Sequence, residues 1–98
     1  MKVYIAGKIT DNPNYSEQFG ETEELLRSQG HTVINPVKDE GFTYKEYIDM
    51  GLAQLMRCEA IYLLEGWKSS PGARLERAYA ETVGLLICEE EDERCQTD

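Results

Sequence analysis

The sequence predicts a single α/β domain built on a four-stranded parallel sheet of strand order 2-1-3-4. Short apolar runs alternate along the chain with longer segments whose apolar residues recur at helical spacing. This alternation is typical of strand–helix–strand units, which form right-handed parallel crossovers. The 98 residues suffice for one domain only. The apolar run at 60–64 is the longest in the chain, so we expect it to be a central strand.

The element boundaries follow from local signals. A capping box formed by Thr43 and Glu46 predicts the start of the second helix. Ser70 followed by Pro71 is typical of an N-cap and a first helical position, so a third helix begins there. Gly30 stops the first helix. The strands are predicted at four short apolar runs, 3–6, 31–34, 59–64 and 85–88.

Charge and composition exclude several classes of function. The net charge is −9 at pH 7, and residues 89–98 contribute −5 of it. Because an acidic surface repels a phosphate polymer, we expect no binding to a nucleic acid polymer. We expect residues 1–88 to form the domain and the acidic tail at 89–98 to be disordered. No apolar run approaches the roughly 18–20 residues that span a bilayer, and the N-terminal run is too short for a signal peptide, so we expect a cytoplasmic protein without membrane contact.

The cysteines and the single histidine indicate no metal site. Cys58, Cys88 and Cys95 are widely spaced without a C-x-x-C pair, and His31 has no companion ligand at a useful spacing. We expect no disulfide framework, a free thiol at Cys95, and neither a metal nor another cofactor.

The strand order predicts a ligand site where strands 1 and 3 separate. Ligands of such sheets bind outside the carboxyl ends of the strands, at the point where the order reverses. The loops at 7–14 and 65–72 meet there, and they are the loops richest in glycine and hydroxyl side chains. The free N–H groups at the start of the third helix favour a phosphate or carboxylate of a small ligand. An ordinary capped helix is the alternative.

Glu76 is the first candidate for chemistry at this edge. It lies six residues beyond Ser70, about one and a half helical turns, so its carboxylate can point toward the two loops. The alternative is a solvated glutamate paired with Arg77 or Arg74. Glu76 lies beside the predicted apolar stripe of its helix, which consists of Leu75, Ala78, Tyr79 and Thr82.

Four other residues have two interpretations each. Tyr4, in the first strand, can hydrogen-bond a carboxylate on the neighbouring helix or fill the core. Asp49, on the second helix, can approach the same mouth or face water. Trp67 can stack on a planar base or plug its loop against the core. Lys8 can neutralise a ligand phosphate or remain idle at the surface.

Several segments together resemble a known family. They are residues 4–7, 35–36, 58–67 and 69–78, with Asp49 on the second helix. The resemblance covers residues 3–88 and is to a short group of mostly phage and bacterial proteins of unknown function, within the nucleoside 2-deoxyribosyltransferase-like superfamily. It implies a flavodoxin-like three-layer sandwich and cleavage or transfer at an N-glycosidic bond.

The resemblance also implies roles for particular residues. Glu76 matches the glutamate that attacks the anomeric carbon, and Tyr4 matches the tyrosine that orients it. Asp49 matches the aspartate that assists the leaving base or the sugar hydroxyls. The substrate-binding residues expected around these three are Gly7, Lys8, Trp67, Ser69, Ser70 and Gly72.

We therefore predict an enzyme that cleaves the N-glycosidic bond of a nucleoside or nucleotide through a glutamate nucleophile, by hydrolysis or transfer. The alternatives are a non-catalytic nucleotide binder, such as a sensor or a sponge for a nucleotide signal, and an interaction module that acts through the acidic tail. Larger relatives complete their pocket with residues of a neighbouring subunit, and here the first helix alone would cover one face of the sheet. We therefore expect a homodimer or a higher homo-oligomer.

Overall fold

The computed structural model describes residues 1–37 and 41–91, together with the backbone of residues 94–97. The strands are β1 (Lys2–Ala6), β2 (Thr32–Ile34), β3 (Ala60–Leu63), β4 (Leu86–Glu89) and β5 (Arg94–Thr97). The helices are α1 (Tyr15–Ser28), α2 (Tyr44–Leu55) and α3 (Pro71–Val83), and a short 3-10 turn at Trp67–Ser69 precedes α3. None of the helices in these ranges has the length and apolar character that crossing a lipid bilayer requires.

The sheet has the order β2-β1-β3-β4-β5, and its first four strands are parallel. The predicted four-stranded parallel sheet of order 2-1-3-4 is therefore confirmed. Each crossover between parallel strands carries one helix, as parallel pairing requires. The order reverses at β1, because the chain moves from β1 to β2 on one side and then to β3 on the other.

The helices pack on both faces of the sheet, which confirms the predicted three-layer sandwich. Val3 and Ile5 of β1 belong to a core cluster with Phe19 and Leu26 of α1. Because side chains alternate along a strand, Tyr4 belongs to the opposite cluster, which contains residues of α2 and α3. The phenol of Tyr4 therefore enters the layer between the sheet and these two helices.

Local capping fixes where α2 and α3 begin, as predicted. The Thr43 hydroxyl accepts a hydrogen bond from the Glu46 N–H at 3.2 Å, and the Glu46 carboxylate accepts one from the Thr43 N–H at 2.8 Å. The Ser70 hydroxyl accepts one from the Ala73 N–H at 3.2 Å, and Pro71 occupies the first helical position. The start of α3 is thus held at the carboxyl edge of the sheet.

The buried face of α3 differs from the predicted stripe. Leu75 is 47% exposed, and the buried positions of the helix are Gly72, Ala73, Glu76 and Ala80. Small residues let α3 lie close to the sheet, and this close approach is what buries Glu76 between Ala73 and Ala80. The alternative interpretation, a solvated Glu76 paired with Arg77 or Arg74, is therefore wrong. Arg77 pairs with Glu81 instead, at 2.7 Å.

The acidic tail also departs from the expectation of disorder at 89–98. Backbone 94–97 forms β5, which pairs antiparallel with β4. Three successive glutamates accept hydrogen bonds from the loop before α3: Glu89 from Trp67 Nε1 at 3.1 Å, Glu90 from the Glu65 N–H at 2.8 Å, and Glu91 from the Gly66 N–H at 3.3 Å. Through these hydrogen bonds, the first three acidic residues of the tail hold the loop before α3 in place.

Cys88 in β4 also departs from the expectation, because it is part of a disulfide. Cys58 is a buried free thiol. The predicted free thiol at Cys95 concerns a side chain outside the described residues.

We predict that the carboxylates of Glu89 and Glu90 stabilise the loop before α3. Replacing both with Ala leaves the partly buried Trp67 Nε1–H without its acceptor and should lower the free energy of unfolding by about 1–3 kcal/mol. The matched control is Glu21→Ala/Glu24→Ala, which removes two exposed carboxylates of α1 and should be neutral or slightly stabilising. Urea unfolding followed by the fluorescence of the single tryptophan compares the two variants. Equal effects would contradict the structural role.

Candidate active site

A cavity of about 290 Å³ lies beyond the carboxyl ends of β1 and β2, against the starts of α2 and α3. This is the edge where the strand order reverses, as the topology predicts. Its lining is contributed by β1 and the following loop (Tyr4, Ala6, Gly7, Ile9, Thr10), α1 (Phe19), the segment after β2 (Pro36), α2 (Tyr44, Tyr47, Ile48) and α3 with its N-cap (Ser70, Gly72, Ala73, Glu76). The wall is mostly apolar and aromatic, with few polar groups, which is typical of small-molecule sites.

The structure brings Tyr4 and Glu76 together in the wall of this cavity. The Tyr4 hydroxyl donates a hydrogen bond of 2.6 Å to Oε2 of Glu76, from β1 to α3. Tyr4 is 1% exposed and Glu76 is 7% exposed, so the bond is shielded from bulk water. Among the described lining residues, Glu76 is the one carboxylate, and no Lys, Arg or His accompanies it.

Burial and the hydrogen bond act in opposite directions on Glu76. Loss of hydration disfavours the charged carboxylate and raises its pKa to about 7, and the hydrogen bond from Tyr4 lowers that pKa by a smaller amount. Burial, and then the negative charge of Glu76, raise the pKa of Tyr4. Tyr4 therefore stays a donor at every physiological pH, while Glu76 exchanges between its two protonation states near neutrality.

Other predicted residues of the two loops reach the cavity only in part. Gly7, Ser70 and Gly72 line it. Lys8 and Ser69 are not among the lining residues: the Lys8 carbonyl accepts a hydrogen bond from the Asn12 side chain, and the Ser69 hydroxyl donates one to the Gly66 carbonyl. Both residues thus act within their own loops.

Asp49 is not placed at the cavity, contrary to the expectation that it approaches the same mouth. Its side chain is 58% exposed and pairs with Lys45 at 2.6 Å on the solvent side of α2. The reason is helical geometry: successive residues are rotated by about 100°, so a helix that turns Ile48 into the cavity turns Asp49 away from it.

Trp67 is likewise a core residue and not part of the cavity wall. It is 8% exposed and belongs to the core cluster on the α2–α3 side of the sheet. Its ring has the guanidinium of Arg77 at 5.8 Å and the ammonium of Lys68 at 6.0 Å from the centroid. Of its two interpretations, the structure shows the plug that holds the loop against the core.

Sequence reasoning missed the part of the wall that α2 contributes. Tyr44, Tyr47 and Ile48 line the cavity, together with Ile9 and Thr10 of the first loop. A usable signal was present, since two tyrosines and an isoleucine at helical spacing directly after a capping box place an amphipathic face at the start of α2.

No group of three or more His, Cys, Asp or Glu side chains in the described ranges is arranged to hold a metal ion. The chemistry available to the cavity from these residues is therefore that of one carboxylate, several hydroxyls and the N-terminus of α3.

The fold and the cavity define the class of this protein: a doubly wound α/β domain with a cavity at the carboxyl edge of its parallel sheet. The chain belongs to the family described as the domain of unknown function DUF4406, whose model matches residues 1–89. No curated protein matches the sequence.

Among solved structures, the fold resembles that of the CMP N-glycosidase BcmB from Clostridium botulinum, with a TM-score of 0.68. The two chains are 16% identical, and the match covers 91% of this chain and 70% of the glycosidase chain. At this identity the similarity shows a shared flavodoxin-like fold.

We predict that Glu76 makes stability depend on pH near neutrality. Because its pKa is raised from 4.5 to about 7 in the folded protein, its contribution to stability is present below pH 4.5 and is lost as the pH rises through 7. Between pH 5 and 8 the wild type should therefore lose about 3 kcal/mol relative to Glu76→Gln, whose amide can still accept the Tyr4 hydrogen bond. Urea unfolding across this range measures the difference, with Glu24→Gln as the control for removing one carboxylate. Parallel curves for wild type and Glu76→Gln would contradict it.

We further predict that Tyr4→Phe raises the pKa of Glu76 above 7. The substitution removes the donor that favours the ionised carboxylate and leaves the apolar surroundings in place. Carboxyl-detected ¹³C NMR titration, with the Glu76 signal assigned by its absence in Glu76→Gln, measures the change. A lower midpoint in Tyr4→Phe would show that water replaces the phenol.

Proposed function

We propose that this protein cleaves the N-glycosidic bond of a nucleoside or nucleotide, with Glu76 as the nucleophile. The observation that carries the proposal is the buried Glu76 carboxylate, held by Tyr4 at 2.6 Å in the wall of a cavity at the carboxyl edge of the sheet. The name of the similar structure, a CMP N-glycosidase, supports the same class of reaction. The family resemblance of the segments around Tyr4 and Glu76 points the same way.

The reaction requires the ionised form of Glu76. In that form Oε2 accepts the Tyr4 hydrogen bond, which leaves Oε1 as the oxygen that attacks the anomeric carbon. The C–N bond breaks, and its electron pair leaves with the base, which takes a proton from solvent or from a hydroxyl of the cavity. The product of this step is a glycosyl ester of Glu76.

Water completes the cycle. It attacks the same anomeric carbon, the ester C–O bond breaks, and its electron pair returns to the Glu76 carboxylate, while the proton of the water goes to solvent. Two displacements at one carbon give net retention of configuration. A pKa of about 7 is compatible with this cycle, because the ionised form of Glu76 that attacks is accessible at neutral pH.

The rest of the lining supports a planar base and a sugar as ligand. Tyr44 and Tyr47 supply aromatic faces from α2, and Thr10 and Ser70 supply hydroxyls. The Gly72 backbone lies in the first turn of α3, where N–H groups favour a phosphate oxygen or a sugar hydroxyl. In this proposal Gly7, Ser70 and Gly72 remain substrate-binding residues, whereas Asp49 and Trp67 act outside the pocket.

The competing function is a non-catalytic binder of nucleosides or nucleotides. A specific observation favours it: the described wall of the cavity contains no second acid beside Glu76 to protonate a leaving base. The two functions differ in turnover. The expected homo-oligomer stays a prediction for either of them.

The test is base release from a panel of ribo- and deoxyribonucleosides and their 5′-monophosphates, followed by liquid chromatography. We expect release by the wild type and a loss of about 1,000-fold or more for Glu76→Gln. Asp49→Asn, a matched substitution on the solvent side of α2, should retain the rate within about threefold, since surface substitutions away from the site have small effects. Isothermal titration calorimetry on Glu76→Gln checks that a ligand still binds.

Intact-mass spectrometry during turnover looks for the glycosyl ester, whose mass exceeds the protein by one sugar unit after loss of the base. Binding by the wild type and Glu76→Gln alike, with no free base from any member of the panel, would establish the binder and refute the glycosidase.

A further inference from the structure

Gly51 lies within α2 on the side that meets β1 and α3. It is buried, and a Cβ atom built on it would lie 2.5 Å from Oε2 of Glu76 and 2.6 Å from the hydroxyl oxygen of Tyr4. Cβ atoms in proteins essentially never approach another atom below 3.0 Å. No other residue type therefore fits at position 51 while the hydrogen bond between Tyr4 and Glu76 keeps its place.

A comparison within the same chain shows that this closeness is not a general property of helical glycines. Gly20 lies within α1, and a Cβ atom built there meets nothing within 4 Å. Glycine is disfavoured relative to alanine inside a helix at both positions. At position 20 an alanine could simply replace it, whereas at position 51 the two oxygens of the buried pair exclude one.

We propose that Gly51 is a positioning residue for the glycosidic chemistry: its missing side chain lets the backbone of α2 lie against the Tyr4–Glu76 hydrogen bond, fix the carboxylate in place and keep water from that side of it. The effect of Gly51 on the reaction rate rests on the proposed function. The packing of β1, α2 and α3 around the Glu76 carboxylate is independent of that function.

Each element then has a distinct task at Glu76. β1 supplies the hydrogen-bond donor, α3 supplies the carboxylate, and α2 covers one side of the hydrogen bond with its backbone at Gly51. The other titratable groups that face the cavity are the phenols of Tyr44 and Tyr47, both from α2. Cys58, at the end of the turn after α2, acts electrostatically on Tyr4. A carboxylate titration observed in the described part of this cavity therefore belongs to Glu76.

The first experiment is a rescue test by thermal unfolding at pH 7. Gly51→Ala should lower Tm by roughly 5 °C or more, or prevent folding, because the Cβ displaces the pair. Gly20→Ala should leave Tm unchanged or raise it by a few degrees, since alanine favours the helix. In a Tyr4→Phe/Glu76→Ala background, which lacks both close oxygens, Gly51→Ala should behave like Gly20→Ala.

The rescue keeps the proposal falsifiable even when Gly51→Ala alone does not fold. Two results would overturn the proposal: a Gly51→Ala variant with unchanged Tm, or the same loss of Tm in the wild type and in the Tyr4→Phe/Glu76→Ala background. Either result would show that the added Cβ does not destabilise the protein by clashing with Tyr4 and Glu76.

The second experiment reads the state of the carboxylate. In folded Gly51→Ala the titration midpoint of Glu76 should leave about 7, downward toward 4.5 where water reaches the carboxylate and upward where only the Tyr4 hydrogen bond is lost, and in Gly20→Ala it should stay at about 7. A defect that is merely structural lowers Tm without moving this midpoint. An unchanged midpoint in folded Gly51→Ala refutes the positioning role.

These readouts require no turnover, so the two proposals can fail separately. If the wild type releases no base but Gly51→Ala shifts the titration midpoint of Glu76, the proposed function is refuted and the positioning role of Gly51 is supported. If the wild type releases base and Gly51→Ala keeps both its rate and its midpoint, the positioning role falls alone. Where both hold, the rate of Gly51→Ala should drop about 100-fold, as expected for a misplaced nucleophile.

Discussion

The hydrogen bond between Tyr4 and Glu76 is the constraint on which the arrangement of this domain depends. A buried carboxylate is costly to desolvate unless a partner satisfies it, and here the partner comes from a residue 72 positions away in the chain. The bond therefore links β1 to α3, the helix that precedes the last parallel strand, β4. Strand alternation directs the phenol of Tyr4 into the right layer, and the small residues of α3 bring the carboxylate to it.

At the same edge of the sheet, α2 and α3 pack closely against each other. Gly72 at the start of α3 leaves room for Ile48 of α2, since a Cβ there would lie 2.7 Å from the Ile48 Cδ1 atom. Close contact between α2 and α3 shuts water out of the layer between these helices and the sheet, where Tyr4 and Glu76 are buried. The glycines at these contacts are thus a condition for the burial of Glu76, and the burial in turn sets its protonation near neutral pH.

The sequence was sufficient for the fold because each signal was local or periodic. The apolar runs, the Thr43–Glu46 capping box and the Ser70–Pro71 helix start are read within a few residues, and strand order follows from the handedness of crossovers. The buried face of α3 was less accessible, because large apolar side chains such as Leu75 outweigh alanine and glycine in any hydrophobic pattern. The face of α3 that packs on the sheet is the one with small residues, and glycine and alanine contribute little to a hydrophobic pattern in the sequence.

A site residue could be predicted from the sequence when its position is set by its own helix or strand, and not when it is set by contacts with other elements. Glu76 could be proposed from its distance to a helix start, whereas the exposure of Asp49 depends on how α2 is rotated about its axis by contacts with β1 and α3. The ordering of the first acidic residues of the tail depends on hydrogen-bond donors in the loop at 65–67. Because these donors are distant in the sequence, no local pattern predicts the contacts.

The opposing effects on Glu76 explain why neither burial nor the phenol would suffice alone. Burial by itself favours the neutral acid, which cannot attack a carbon atom, and the hydrogen bond from the phenol favours the ionised carboxylate. Together they leave a buried carboxylate whose ionised form is accessible near neutral pH and whose Oε2 atom is held by Tyr4. The shared fold supplies the edge with the cavity, and in the proposed function the balance at a single carboxylate is what makes this edge reactive.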